Sequence, residues 1–347
     1  MRETLQIWLP DEQSTVTLGE RLCRTLYAYP LDVLLSGPLG AGKTSLARGI
    51  ARGLGIGGNI ASPTYALEQS HKAPCGIIAG NDDVSELLHI DLYRLDQSQA
   101  RSHLLHSTRH YSIRCIEWWE RSGSPPEGNA ILITLAEEER HGKRGRLASI
   151  TFNDVLIPTR DQIVRWRAEV KLPNHICRHC DAVADLCDAL SHALLARGTP
   201  VRLKLLRAAG EVHDLLRFLD FRDGGYAGGD DAPDDQKHWE HIRSKYPRMK
   251  HEPACAAFLR ERGYDALGTI VSVHGLVLPS PERRTIEQQL LFYADKRVMV
   301  DKRVTLEERF ADFERRYGGG VRTRDAETWY REATDVEQRL FPGGCPV

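Results

Sequence analysis

The feature that most constrains the fold is a glycine-rich motif that follows an apolar segment. Residues 37–44 read Gly-Pro-Leu-Gly-Ala-Gly-Lys-Thr and fit the phosphate-loop pattern G-x-x-x-x-G-K-[ST] without a mismatch. The apolar residues 32–36 precede the motif and the helix-like residues 44–54 follow it, as a strand–loop–helix phosphate site requires. The motif therefore predicts an α/β domain that binds the phosphates of a nucleotide.

Each residue type in this motif has a chemical reason. Glycines let the backbone wrap around a phosphate, while backbone N–H groups and the helix N-terminus supply positive potential. Lys43 is expected to reach the β- and γ-phosphates, and Thr44 to offer its hydroxyl to Mg²⁺. The nucleotide-binding residues predicted from this segment are Gly37, Gly40, Ala41, Gly42, Lys43, Thr44 and Ser45.

Short apolar runs alternate with helix-like stretches through residues 1–156, which we predict to form one domain. Strands are predicted at 32–36, 87–91, 112–117, 130–135 and 147–152, and helices at 17–28 and 44–54. This alternation predicts an α/β layer with a mostly parallel sheet. Together with the phosphate-loop motif, we expect a P-loop NTPase fold with helices on both faces of the sheet. The charged residues 137–146 are predicted to form the turn of an antiparallel hairpin at one edge.

Two carboxylates end predicted strands of this domain. Asp91 ends the run Leu-Leu-His-Ile-Asp, and Glu117 ends the run Ile-Arg-Cys-Ile-Glu. Ligands of open α/β sheets bind at the carboxyl edge of the strands, so both acids are expected to face the nucleotide and its metal ion.

Four blocks of this half together resemble a known family. They are Ser-Gly-Pro-Leu-Gly-Ala-Gly-Lys-Thr at 36–44, Ser-Pro-Thr-Tyr at 62–65, His-Ile-Asp-Leu-Tyr-Arg-Leu at 89–95 and Glu-Trp at 117–118. In order, spacing and strand context they are similar to TsaE, the small P-loop ATPase required for threonylcarbamoyladenosine (t6A) modification of tRNA. The resemblance covers roughly residues 3–155.

The resemblance implies roles for further residues. Thr64 would lie on a loop near ATP, Trp118 would pack beside the nucleotide, Asp91 would be the acid on the Mg²⁺ side, and Glu117 would act on the attacking water or the metal. ATP hydrolysis would drive turnover of a complex with TsaB- and TsaD-type proteins. Residues 98–110, which hold three histidines, are interpreted as an inserted surface segment.

The charge balance bears on how such a protein would meet tRNA. Residues 1–150 hold 16 basic and 17 acidic side chains, which leaves 31 of each from totals of 47 and 48. Neither half has the basic surplus of a protein that holds a phosphate backbone by bulk charge. Contact with tRNA is therefore expected to be indirect, through protein partners. A small-molecule kinase is the alternative for this half, although no acceptor site is evident.

After residue 157 the pattern becomes helical, and we predict a second domain over residues 157–347. Helices are predicted at 161–170, 179–197, 200–219, 252–262, 284–295 and 306–317, with a Gly- and Asp-rich loop at 222–235. Cys177 and Cys180 form one C-x-x-C without a second pair, so they are interpreted as packing residues on a helix rather than as zinc ligands.

The helical half contains an ordered set of imidazoles and carboxylates: His179, His213, Asp214, His251, His274 and Asp295. These groups suit a divalent transition metal, and a bound metal lowers the pKa of water so that hydroxide can attack phosphorus. Asp214 is therefore also predicted to be catalytic.

This set is similar, over roughly residues 170–317, to the HD-domain phosphohydrolase superfamily, an all-α helical bundle. The resemblance implies that His179, His213, Asp214 and Asp295 hold a first divalent ion (Mn²⁺, Co²⁺, Fe²⁺, Ni²⁺ or Mg²⁺). His251 and His274 would serve a second metal or the phosphate. His175 competes with His179 for the first position, and Arg217 could replace a lysine that usually follows the HD pair. The substrate would be a nucleotide or another phosphoester; the alternative is a noncatalytic regulatory module.

The composition also limits the class of protein. No apolar run approaches the roughly 18 residues that a bilayer span needs, and the N-terminus does not resemble a signal peptide. Eight cysteines in 347 residues are too few for a secreted disulfide scaffold. We therefore expect a soluble, cytoplasmic protein without a membrane partner.

Overall fold

The computed structural model describes residues 3–58, 60–74, 86–107, 112–140, 142–221, 233–317 and 319–347. The chain divides into two compact units. One contains the described residues up to Val155 together with Leu194–Val201, and the other contains Leu156–Ala193 and Arg202–Val347. Within the described ranges, no helix has the length and apolar character needed to cross a membrane.

The first unit is an α/β layer. Its strands are β1 (Glu3–Leu9), β2 (Leu31–Ser36), β3 (Glu68–Lys72), β4 (Glu86–Asp91), β5 (Ser112–Glu117), β6 (Ala130–Arg140) and β7 (Lys143–Asn153). Its helices are α1 (Glu12–Leu22), α2 (Lys43–Gly53) and α3 (Gln97–His106). Short 3₁₀ turns at Cys23–Thr25 and Trp119–Ser122 complete the described elements of this unit.

The described strands form one mixed sheet in the order β1-β7-β6-β2-β5-β4-β3. The four central strands β6, β2, β5 and β4 are parallel, and β1, β7 and β3 join antiparallel. Strand β2 is buried along almost its whole length, because it lies between β5 and β6 in the middle of the sheet. This position explains why its sequence is continuously apolar rather than alternating.

The structure corrects the expected hairpin. The charged residues 137–146 are not a long turn, because β6 and β7 extend through most of them. Glu137 pairs with Arg146 and Glu139 pairs with Arg144 across the two strands, and such opposite-charge pairs stabilise a ladder. The hairpin is also not an edge, since β1 pairs along the outer side of β7.

The predicted surface segment 98–110 is in its described part a helix that contributes to the core. α3 begins after the capping residue Asp96, and its Ala100 and Leu104 are buried in a cluster with Leu88 and Ile116. His110 lies outside the described residues.

The second unit is helical. Its helices are α4 (Arg160–Glu169), α5 (Asn174–Leu195, whose last residues group with the first unit), α6 (Leu203–Val212), α7 (Pro233–Lys245), α8 (His251–Arg260), α9 (Asp265–Val271), α10 (Ile286–Asp295), α11 (Leu306–Tyr317) and α12 (Arg324–Leu340). A two-stranded ribbon of β8 (Val298–Met299) and β9 (Lys302–Arg303) follows α10.

Two expectations for this unit need correction. The predicted helix 200–219 ends at Val212, and a separate 3₁₀ turn forms at Arg217–Asp220. α7 occupies the last residues of the predicted loop 222–235, and the remainder of that loop lies outside the described residues.

Candidate functional site

The glycine-rich loop of the first unit joins β2 to the N-terminus of α2. Gly37, Gly40 and Gly42 all have positive φ angles, of 142°, 81° and 101°. At Gly37 a side chain is also excluded by space, because a Cβ atom would lie 2.4 Å from the Leu135 carbonyl oxygen. The backbone conformation of the loop therefore depends on glycine at these positions.

Lys43 is the first residue of α2 and points back over the loop. Its Nζ donates hydrogen bonds to the carbonyl oxygens of Gly37 at 2.7 Å and Pro38 at 2.9 Å. It also lies 3.7 Å from the centre of the Trp118 ring. Burial lowers the pKa of Lys43, against the opposing effect of Glu117 and other nearby acids. The side chain is thus a buried cation at the mouth of the loop.

The two predicted acids lie side by side, because Asp91 and Glu117 are paired in register on the parallel strands β4 and β5. The Thr44 hydroxyl donates to Glu117 Oε1 at 2.9 Å. Asp91 accepts hydrogen bonds from the hydroxyls of Ser62, at 3.1 Å, and Thr64. These hydroxyl and carboxylate oxygens are the donor set that Mg²⁺ prefers.

A cavity of about 360 Å³ connects these groups. Of the residues predicted from the sequence it is lined by Gly40, Gly42, Lys43, Thr44, Ser45, Thr64, Asp91, Glu117 and Trp118. Gly37 and Ala41 are not in the lining; Gly37 contributes its carbonyl oxygen to Lys43, and Ala41 is buried.

The sequence reasoning missed several groups at this cavity. His89 is fully buried, and its Nε2 lies 2.8 Å from Glu117 Oε1. The alternation of side chains along β4 places His89 and Asp91 on one face, a signal that could have identified it. His89 does not itself line the cavity and acts on it only through Glu117. Glu12, Tyr93 and Arg146 do line it, but their positions depend on how distant segments pack.

In the helical unit, the six predicted metal residues come together from separate elements. His179 lies on α5, His213 and Asp214 directly follow α6, and His251 begins α8. His274 follows α9, and Asp295 ends α10. All six are buried, with between 0% and 8% of their surface exposed.

The donor atoms of these residues face one another. His179 Nε2 lies 3.0 Å from Asp295 Oδ1, and His213 Nε2 lies 3.7 Å from the same oxygen. On the other side of the cluster, Asp214 Oδ1 lies 3.0 Å from His251 Nε2 and 3.4 Å from His274 Nε2. Two groups of these residues, His179–His213–Asp295 and His213–Asp214–His274, have all donor atoms within 4.8 Å of one another, and His251 forms a third such group with Asp220 and Glu252.

Three of the imidazoles are oriented by backbone carbonyl groups. The Nδ1 atoms of His179, His213 and His274 lie 3.0, 2.8 and 2.7 Å from the carbonyl oxygens of residues 300, 210 and 271. A proton on Nδ1 leaves Nε2 free to act as a ligand, which is the usual arrangement around protein-bound metals. The buried His213 Nε2 has no hydrogen-bond partner among the described residues, as expected for a nitrogen that ligates a metal.

The charges in the cluster are strongly coupled. Burial alone would raise the pKa of Asp214, but His213 and His251 hold that pKa well below its usual range. Burial likewise opposes ionisation of Asp295, but Lys296 and the nearby histidines hold its pKa well below the ordinary value. Much of the positive charge that lowers these pKa values belongs to the histidines themselves, since the same carboxylates, against the effect of burial, raise the pKa values of His213 and His251. A divalent cation bound here would take the place of those protons.

Several sequence candidates lie outside this cluster. His175, Cys177 and Cys180 belong to none of the metal-capable groups that the described residues form. Cys177 and Cys180 lie on α5, where Cys180 is fully buried. Arg217 does reach the cluster, since one guanidinium nitrogen lies 3.0 Å from His251 Nδ1.

Comparison with known proteins agrees with the geometry of the first unit. The family described as threonylcarbamoyl adenosine biosynthesis protein TsaE matches residues 9–146. A relative named tRNA threonylcarbamoyladenosine biosynthesis protein TsaE, from Haemophilus influenzae, is 36% identical over 142 residues, which cover 38% of this chain and 82% of the relative. The chain belongs to the TsaE family.

Other TsaE proteins are similar over the same part of the chain. The TsaE protein of a Synechocystis species is 35% identical over 127 residues, or 34% of this chain and 72% of the relative. That of Mycobacterium tuberculosis is 44% identical over 87 residues, or 25% of this chain and 48% of the relative. Among solved structures, Bacillus subtilis YdiB is 24% identical and covers 44% of this chain and 87% of its own, with a TM-score of 0.32.

The TsaE match contains the whole candidate nucleotide site, from Glu12 to Arg146. It ends before α4, the first helix of the helical unit. The histidine–aspartate cluster is therefore a feature of this chain beyond the matched TsaE region.

Proposed function

We propose that the first unit is an ATPase that supports t6A modification of tRNA, acting through TsaB- and TsaD-type proteins. The observation that carries the proposal is that the phosphate loop, Lys43 and the paired acids Asp91 and Glu117 meet at one cavity. The family membership supplies the pathway, since the relatives are named for t6A biosynthesis.

The chain's own groups can take defined parts in such a reaction. The loop N–H groups and Lys43 would bind the phosphates, and Thr44, Asp91 and Glu117 offer oxygen ligands to the Mg²⁺ that accompanies ATP. Trp118 lies at the same cavity, with Tyr93 at 5.0 Å between ring centres, and the two rings would form an apolar wall beside the nucleotide.

Replacement of Lys43 by alanine tests this site. We expect Lys43→Ala to lose ATP binding and hydrolysis and to fail to support t6A formation in a reconstituted reaction with TsaB, TsaD and tRNA. Lys143→Ala, which changes an exposed lysine of β7, is the matched control and should behave as wild type. Normal ATP hydrolysis by Lys43→Ala would contradict the assignment of the site.

For the helical unit we propose a metal-dependent phosphohydrolase of the HD type that acts on a nucleotide or another phosphoester. The buried cluster of four histidines and two aspartates carries this proposal, because its Nε2 and carboxylate atoms converge as a metal would require. A divalent ion held there would polarise the phosphoryl group and supply hydroxide at neutral pH. The buried Asp214 and Asp295 would hold the ion, with His179 and His213 completing its ligands.

Metal analysis and a substrate screen test the second activity on the full chain. We expect wild-type protein to retain Mn²⁺, Co²⁺, Fe²⁺ or Ni²⁺ and to hydrolyse at least one phosphodiester or one nucleotide other than ATP, which the first unit itself would hydrolyse. Asp214→Ala should lose both properties. Asp181→Ala, which removes a half-exposed carboxylate paired with Arg167, is the control. Undiminished metal in Asp214→Ala would refute the cluster, whereas metal without hydrolysis of any phosphoester would favour a regulatory module.

A further inference from the structure

His251 differs from the other three imidazoles of the cluster in what its outer nitrogen contacts. His179, His213 and His274 each place Nδ1 against a backbone carbonyl oxygen. The Nδ1 of His251 instead lies 2.6 Å from Oδ2 of Asp220, a residue at the end of the 3₁₀ turn after the His213-Asp214 pair. One imidazole of the cluster is thus held by a carboxylate.

The carboxylate of Asp220 is also held by the backbone of His251. Its Oδ1 accepts a hydrogen bond from the backbone N–H of His251 at 3.2 Å. His251 is the first residue of α8, and the preceding residue Lys250 provides no side-chain cap. Asp220 therefore satisfies one of the free N–H groups of this helix, where the helix dipole favours a negative charge.

Two other groups lie near His251 Nδ1, but only Glu252 could compete with Asp220 as a hydrogen-bond acceptor. Glu252 Oε2 lies 3.4 Å away, beyond ordinary hydrogen-bond length, and has no hydrogen-bond partner in the described parts of the chain. A guanidinium nitrogen of Arg217 lies 3.0 Å from Nδ1 and 3.2 Å from Nε2. A guanidinium group only donates hydrogen bonds, so Arg217 cannot accept the Nδ1 proton. Asp220 is the acceptor that the distances favour.

The inner nitrogen of His251 is then available for a metal. Nε2 lies 3.0 Å from Asp214 Oδ1 and 3.3 Å from His274 Nε2. His274 Nδ1 lies 2.7 Å from the Val271 carbonyl oxygen, so its Nε2 is also free. These three atoms outline a second metal position that shares Asp214 with the first.

We propose that Asp220 is the positioning residue of this second metal position: its carboxylate holds the Nδ1 proton of His251 and so presents Nε2 as a ligand beside Asp214 and His274. The proposal rests on the metal-dependent function of the helical unit. A carboxylate partner also makes an imidazole a stronger ligand, and loss of such partners costs about 10- to 100-fold in metal affinity.

The test is Co²⁺ binding by the metal-free full chain, without nucleotide, followed by calorimetry, elemental analysis and the visible absorption of each equivalent. We expect wild type to bind two equivalents. Asp220→Ala should bind the first with wild-type affinity and the second about 10- to 100-fold more weakly. Asp220→Asn, whose amide oxygen can still accept the hydrogen bond from the Nδ1–H group, should bind the second equivalent with an affinity between those of wild type and Asp220→Ala. Asp181→Ala is the matched control.

Each other outcome has a definite meaning. If Asp220→Ala binds both equivalents normally, or weakens both equally, Asp220 does not position His251 and the proposal is wrong. A wild-type stoichiometry of one would also overturn it while leaving a one-metal phosphohydrolase intact. Absence of Co²⁺ binding by wild type itself would instead refute the proposed function of the helical unit.

Discussion

A buried ion pair between two central strands of the sheet gives the sharpest stability prediction. Asp32 of β2 and Arg114 of β5 are directly opposite in the parallel ladder, with only 2% and 1% of their side chains exposed. The contact is bidentate: Arg114 Nε lies 2.7 Å from Oδ1 and an outer guanidinium nitrogen lies 2.8 Å from Oδ2. The other outer nitrogen donates to the Leu104 carbonyl oxygen at 3.0 Å.

Replacing Asp32 with alanine leaves the Arg114 guanidinium buried without its counter-ion. Breaking a buried pair in this way costs about 3–5 kcal/mol, a large part of the about 5–15 kcal/mol by which a typical domain is stable. The loss corresponds to roughly 10²- to 4 × 10³-fold more frequent opening of the sheet. β2 leads into the phosphate loop and β5 ends at Glu117, so the same opening exposes the nucleotide site.

Hydrogen–deuterium exchange with mass spectrometry is the appropriate assay, because a chain of two units need not unfold in one step. Peptides from β2 and β5 should exchange roughly 10²- to 4 × 10³-fold faster in Asp32→Ala than in wild type. Peptides from α8 provide an internal reference. The double variant Asp32→Leu/Arg114→Met, which removes both charges, should recover most of the loss. Unchanged exchange of β2 in Asp32→Ala, or a double variant worse than the single, would refute the reasoning.

Two further predictions concern the phosphate loop. Gly37→Ala should abolish ATP binding measured by calorimetry, because the added Cβ would lie 2.4 Å from the Leu135 carbonyl oxygen at a positive φ; normal affinity would show that the loop can rearrange. Because burial lowers the pKa of Lys43, ATP affinity should decline with rising pH before the ordinary lysine pKa of about 10.4. Lys43→Arg keeps its charge throughout, so equal pH profiles of the two proteins would count against a role for Lys43 ionisation.

Much of the nucleotide site could be predicted because its residues are close in sequence and their geometry is local. The strand, the glycine-rich loop and the helix follow one another along the chain. The positive φ angles of Gly40 and Gly42 belong to the conformation of that short segment. Asp91 and Glu117 were predictable as strand ends, since parallel strands end at the same edge of a sheet. His89 was missed because its partner Glu117 lies on a neighbouring strand 28 residues away.

The strands that join the sheet antiparallel were harder to predict. β3 reads Glu-Gln-Ser-His-Lys and has no apolar pattern; its strand conformation comes from pairing with β4. β6 and β7 continue through charged residues because the opposite charges lie across from one another in the ladder. Such pairings depend on register, which a local sequence window does not contain.

The sequence by itself determined which residue types are available and in what order: a phosphate loop after an apolar strand, then a series of histidines and aspartates on helical segments. Which nitrogen of an imidazole is free is defined by the hydrogen bond on the opposite side of its ring. For His213 and His274 that partner is local, a backbone carbonyl three residues earlier in the chain. Only the tertiary structure decided it for His179 and His251, because the Val300 carbonyl and the Asp220 carboxylate lie 121 and 31 residues away and come close only when the helices pack.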